Sequence, residues 1–143
     1  MSESTKRHEG HTLPLASHLA RAGWRALDLS AQPGDVTHRQ LLVLTLLRDR
    51  GAMAQQDLRE VFGLDSSNLV GLLNELEERG LILRRRDPED RRRHIVELTD
   101  DGSSVLEATY ARLAAVEDEL LSALTTEERQ VLLGLLQRVM TSR

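Results

Sequence analysis

Residues 66–102 read SSNLVGLLNELEERGLILRRRDPEDRRRHIVELTDDG. Leu69, Leu72, Leu73 and Leu76 fall at i, i+3, i+4 and i+7, the spacing of one face of a helix. Asp65 or Ser66 can cap its start and Gly80 stops it, so a helix is predicted from 66 to about 79. Its opposite face carries Ser67, Gly71, Asn74 and Glu78, flanked by Asn68, Val70 and Glu75. Leu81–Arg85 and His94–Leu98 then read as two strands. The segment between them holds Asp87, Pro88 and Asp90, residues that favour a turn. The result is a β-hairpin with an arginine-rich tip, placed directly after a helix with a small polar outer face.

Upstream, Gln55–Phe62 reads as a short helix broken by Gly63. Two helices joined by a tight glycine turn suggest a helix-turn-helix, and the hairpin then makes a wing. Thr37 stands three residues before Gln40, a capping box opening a helix at about 38–49 that Gly51 ends. With five leucines, that helix is expected to be buried nearly all round. Pro33–Gly34 marks a turn. Before it, a helix of about 13–30 carries two apolar stripes: Leu15, Leu19, Ala22, Ala26 and Leu29, and Leu13, Ala20, Trp24 and Leu27. Downstream, Thr99 can cap a helix of about 100–123, and Thr125 with Glu128 forms a second capping box before a last helix bearing Val131, Leu132, Leu135, Leu136 and Val139. The terminal helices have no obvious place in a small winged-helix core, which points to a separate helical platform and a dimer interface. Residues 1–12 lack periodicity and are expected to form a flexible tail. The fold class is mainly α with a small β-hairpin wing.

Composition narrows the function. The 143 residues are 40% apolar but only 2% aromatic, so Leu, Val and Ala fill the core. Cysteine is absent, which excludes disulfides, thiolate metal sites and cysteine-based oxidant sensing within the chain. No apolar run reaches the ~20 residues needed to span a bilayer, and the polar start lacks a signal-peptide core; the cytoplasm is the expected location. The formal net charge is −4, yet residues 79–94 set seven arginines against Asp87, Glu89 and Asp90. A local basic segment in an acidic protein can hold phosphate while the remainder limits nonspecific binding. An enzyme is disfavoured: none of the five histidines has metal-ligand spacing, and no glycine-rich phosphate loop or nucleophile motif occurs. No catalytic residue, metal or cofactor is assigned. Two alternatives stay open: a winged-helix interaction module without DNA binding, and a metal-responsive regulator.

Asp90-Arg91-Arg92, followed by Val96, Leu98-Thr99 and Gly102, resembles the MarR family of bacterial winged-helix regulators. Leu69–Gly80 looks like that family's recognition helix and its exit, and the resemblance covers 13–141. It implies one MarR-like domain over 13–143. The winged helix-turn-helix would occupy about 36–98, and the dimerisation helices about 13–30 and 100–141. It implies a homodimer on a pseudo-palindromic duplex operator, with recognition helices in the major groove and wings in the minor groove. Arg92 would enter that groove, held by a salt bridge from Asp90. No Arg or Lys lies on the recognition face, so a bidentate Arg–guanine contact from its centre is ruled out. Asn68 or Asn74 could read adenine, Val70 could touch a thymine methyl, and Ser67 could donate to a phosphate. Ser66 and Gly71 complete that face. Arg84, Arg85 and Arg86 are expected to act mainly through phosphates, and Arg91 and Arg93 to join the wing contact. The resemblance also suggests repression relieved by a small aromatic or anionic effector. An inducer pocket is expected between the platform and the DNA-binding lobe, with His18, Trp24, Leu41 and Leu44 in its wall.

Overall fold

The computed structural model describes residues 10–63 and 66–143, and nothing of the side chains of Ser66 and Ser67. The cap expected at Asp65, and most of the N-terminal tail, lie outside the described residues. The described elements run α1 (Thr12–Leu29), α2 (His38–Arg50), β1 (Met53–Ala54), α3 (Gln55–Phe62), α4 (Ser66–Glu78), β2 (Ile82–Arg86), β3 (His94–Leu98), α5 (Asp100–Leu120) and α6 (Thr126–Thr141). Two compact units divide them: Asp28–Arg112, and the residues up to Leu27 together with Leu113–Arg143.

The first unit is the winged helix-turn-helix. Its core is aliphatic, as the composition requires: Leu41, Val43, Leu44 and Leu47 from α2, Leu58 from α3, and Leu69, Leu73 and Leu76 from α4 are buried. Each fully buried side chain of this size stabilises the fold by about 1.5–3 kcal/mol before entropy is counted. Both predicted capping boxes form. Thr37 Oγ1 accepts from the Gln40 amide while Gln40 Oε1 accepts from the Thr37 amide, and Thr125 and Glu128 do the same at α6. Asp28 adds a second hold on α2, accepting from the His38 amide at 2.9 Å and pairing with His38 Nδ1 at 2.7 Å.

The sheet has three strands in the order β1-β3-β2, all antiparallel. Strand β1 has no sequence signal, since two residues are too few to show a period; Met53 faces Val96 and Ala54 faces Ile95. β2 begins one residue later than predicted because α4 claims Leu81. Gly80 takes φ +72°, its amide bonds to the Glu77 carbonyl, and the Leu81 amide reaches back to the Leu76 carbonyl at 3.0 Å. That is the pair of bonds of a Schellman C-cap, which needs a left-handed residue. Arg86, expected in the turn, instead joins the ladder opposite His94.

Helix α5 also departs from the expectation. Its first three turns belong to the winged-helix unit rather than to a separate platform. Leu106 and Thr109 are buried, and Thr45 Oγ1 and Tyr110 Oη lie 2.6 Å apart. The joint is tightest at Gly102, where a Cβ would lie 2.1 Å from the Leu81 carbonyl oxygen and 2.7 Å from Leu98 Cδ1.

The second unit comprises the remainder of α1, the end of α5 and α6. Gly23 is buried, and a Cβ there would stand 3.1 Å from Leu120 Cδ2. The inward line of α1 is Leu19, Gly23 and Leu27, crossing both predicted stripes and leaving Leu13 and Leu15 exposed. Helix α5 ends at Leu120, three residues before the predicted limit, and Arg129 Nη1 of α6 pairs with Asp118 at 2.9 Å. No residue of α6 is buried, and Val131, Leu133, Leu135, Leu136, Val139 and Met140 are all about half exposed or more.

Gly102→Ala is expected to lower the thermal midpoint, with a cost of about 1–3 kcal/mol or more, because the obstructing atom is backbone. Gly71→Ala meets nothing within 4 Å and replaces a mid-helix glycine, so it should stabilise by up to ~1 kcal/mol. Melts of both variants followed by circular dichroism check this; equal midpoints would show that the joint yields freely.

Candidate nucleic-acid interface

Helix α4 turns Leu69, Leu73 and Leu76 inward and leaves Asn68, Val70, Gly71, Asn74, Glu75 and Glu78 exposed. The polar face read from the sequence is therefore the outer face. Two of its members are already engaged. Glu75 Oε2 accepts from Nε2 of Gln40, a buried side chain of α2, at 3.2 Å. Asn74 Oδ1 accepts from Arg84 Nη2. Arginine has donors only, so the Asn74 atom facing it must be oxygen, and the amide NH2 is the group left uncommitted to that contact.

Arg84 binds α4 more broadly. Its Nη2 donates to Glu77 Oε1 at 3.1 Å and its backbone amide to Glu77 Oε2 at 3.2 Å. The side-chain hydrogen bond from Arg84 lowers the Glu77 carboxyl from its ordinary value; burial pushes the other way, and the Arg84 charge, the Arg84 backbone amide and His94 add to the lowering. Glu77 carries no signal in the linear sequence because it sits between the apolar stripe and the polar face. Only the register of β2 brings it a partner.

The other predicted arginines divide into two groups. Arg85 Nε pairs with Glu97 across the strands at 2.7 Å, and Arg86 Nη1 donates to the Arg91 carbonyl at 3.0 Å. Arg84, Arg85 and Arg86 thus all have acceptors within the wing and α4. Arg91, Arg92 and Arg93 occupy the exposed tip, and the Arg92 side chain is 92% exposed.

Two aspartates fold that tip. Asp87 Oδ1 accepts from the Glu89 amide at 2.9 Å, and Asp90 Oδ1 from the Arg92 amide at 3.1 Å. Both are local turns in which a carboxylate replaces a backbone acceptor. The Asp87 amide bonds to the Arg93 carbonyl and the Arg93 amide to the Asp90 carbonyl, each at 2.9 Å. The same Asp90 oxygen also accepts from Arg92 Nε at 3.3 Å. Asp90 therefore shapes the loop and holds Arg92 with one guanidinium bond.

The residues expected to line an effector pocket fall in both units. Leu41 and Leu44 are buried in the winged-helix core, His18 is exposed on α1, and Trp24 is half-buried there. No helix among the described residues is long and apolar enough to cross a membrane.

The MarR family model matches residues 36–94, the stretch from the start of α2 through the wing tip. The transcriptional regulator HosA of Escherichia coli is 32% identical over 108 residues, covering 76% of this chain and 80% of HosA. The transcriptional repressor NicR of Pseudomonas putida is 32% identical over 107 residues, covering 75% and 68%. A crystal structure of an E. coli MarR mutant complexed with operator DNA superposes with a TM-score of 0.70 at 28% identity, covering 88% of this chain and 91% of that one. The PcaV regulator of Streptomyces coelicolor, in complex with its natural ligand, gives 0.68 at 30% identity and 94% of both chains. A wing, a polar recognition face and these relatives agree, and the chain belongs to the MarR family of transcriptional regulators.

Proposed function

We propose that this regulator is a homodimeric repressor. It grips a pseudo-palindromic duplex with α4 in the major groove and Arg92 in the minor groove, and a small aromatic or anionic molecule releases it. One observation carries the DNA-binding part: the Asp90 turn holds out an almost fully exposed Arg92 on a wing whose neighbouring arginines, 84–86, are tied down. A narrow minor groove concentrates negative potential, and a presented guanidinium matches it. MarR with operator DNA, NicR as a repressor and PcaV with its ligand support the reading.

The dimer part rests on α6. A 16-residue helix with no buried residue gains little from its own chain, and isolated helices of that length are marginal in water. A second copy covering its apolar side supplies the missing burial, and a two-fold axis then sets two recognition helices about one DNA turn apart.

Arg92→Ala should weaken duplex binding by roughly 1–3 kcal/mol. Asp90→Ala should also weaken it, although it removes a negative charge near DNA, because the loop and its guanidinium lose their shape. Titration of labelled duplex at fixed salt checks both; tighter binding by Asp90→Ala would reduce the wing to a charged loop. The unmodified protein should run as a dimer in light scattering at micromolar concentration. Leu132→Asp with Leu136→Asp should give a monomer with less helix by circular dichroism, since buried unpaired charge costs several kcal/mol. Footprinting should reveal two half-sites about one helical turn apart, and a single asymmetric site would defeat the two-fold arrangement.

A further inference from the structure

Asn74 and Glu75 stand side by side on α4, both exposed, and each is held by a different neighbour. Arg84 Nη2 donates to Asn74 Oδ1, and the same nitrogen is anchored by Glu77 Oε1 at 3.1 Å. Glu77 also accepts from the Arg84 amide, so the guanidinium is tied to α4 before any ligand arrives. A guanidinium donates and never accepts, so it commits the Asn74 oxygen and leaves the two N–H donors of the carboxamide open. Among the described residues Asn74 Nδ2 makes no hydrogen bond.

Glu75 is held by a second relay. The Thr37 amide donates to Gln40 Oε1 at 3.0 Å, which leaves Nε2 as the end of Gln40 that reaches α4. That nitrogen donates to Glu75 Oε2 at 3.2 Å, and Gln40 is buried, so bulk water competes little for it. Among the described residues Glu75 forms no ion pair. The outer face of α4 therefore offers a fixed donor beside a fixed acceptor.

In the major groove guanine presents two neighbouring acceptors, N7 and O6, and its cytosine partner presents the N4 amino donor. The Asn74 amino group suits the first and the Glu75 carboxylate the second. A carboxylate brought among phosphates is repelled, and a base amino group bonded to it offsets part of that cost. An adenine–thymine pair fits worse. The adenine amino group would meet an oxygen already under a guanidinium, and thymine O4 would face the carboxylate, acceptor against acceptor.

We infer that Asn74 and Glu75 read a guanine–cytosine pair in each half-site, Asn74 donating to guanine and Glu75 accepting from cytosine N4, with Arg84 and Gln40 as the positioning residues that set this preference. The inference rests on the reading of α4 as the helix in the major groove. An asparagine free to turn pairs both of its ends with adenine. Here strand β2 removes that freedom, so the wing shapes sequence choice without touching the base.

The test is selection from a random duplex library by the full-length protein, followed by titration of the selected duplex and its single-pair variants at fixed salt. One position in each half-site should be guanine–cytosine, and exchange for adenine–thymine there should weaken binding by about tenfold. Asn74→Ala and Glu75→Ala should each erase most of that discrimination while leaving the preferences at other positions unchanged. Arg84→Met frees the carboxamide to turn and should raise adenine at that position to the level of guanine. Arg84→Lys keeps a donor for Asn74 Oδ1 and should restore guanine. Unchanged circular dichroism in the four variants would show that the fold persists. If Arg84→Met weakens every duplex alike without changing the base chosen, Arg84 is merely structural and the inference fails. A guanine–cytosine preference that survives both alanine variants would overturn it while leaving DNA binding intact, as would an adenine–thymine pair at the position those variants affect. If the library yields no duplex, the DNA-binding reading fails and this inference falls with it.

Discussion

The Leu81 carbonyl oxygen holds the winged-helix unit together. It accepts from the Thr99 amide at 3.1 Å, and Gly102 lies against it because no Cβ intervenes. Next door, Thr99 Oγ1 donates to the Gly80 carbonyl at 2.6 Å and accepts from the Gly102 amide at 3.0 Å. Four things therefore meet within a few residues: the end of α4, the start of β2, the end of β3 and the start of α5. A hairpin pinned at both ends cannot swing independently of the helix beside it. Glu77 and Arg84 extend the same hold one turn up α4 and two residues along β2. The position of the wing tip relative to α4 is thus set by short bonds near its base.

Much of this was legible in residues 66–102. The heptad-like leucines of α4, the glycine stop and the turn residues of the wing each act locally, and local rules read them correctly. The capping boxes at Thr37 and Thr125 were equally readable, since both partners sit three residues apart. What failed to show depends on register. The pairing of Arg84 with Glu77 depends on how β2 passes α4, and that of Arg85 with Glu97 on how β2 lies beside β3, while arginines 84–86 look identical in a linear string. The unit that the first turns of α5 join was hidden for a related reason. Its apolar residues fit a helix, but only the approach of Gly102 to Leu81 shows which body its first turns join. Strand β1 was invisible because two residues carry no periodicity.

Charge is handled economically. The protein is acidic overall, yet the acids near the wing are mostly spent on internal bonds. Glu77 and Glu97 neutralise Arg84 and Arg85, Glu75 bonds to Gln40, and Asp87 and Asp90 hold backbone amides. The potential that remains comes from the loop arginines. Removing a carboxylate here would take away a backbone acceptor of the loop as well as a charge, since Asp87 and Asp90 both hold amides of the tip.

The bare apolar side of α6 also links folding to abundance. If a second copy covers it, its helical state is bought by association, and mass action governs how much of it exists. Occupancy of a two-fold site then rises more steeply than the first power of subunit concentration wherever monomer predominates. Dilution would then also leave a partly unfolded C-terminus exposed to proteases. Scarce regulator would thereby be removed faster than plentiful regulator, which would sharpen the threshold between an empty and a filled operator without any ligand taking part.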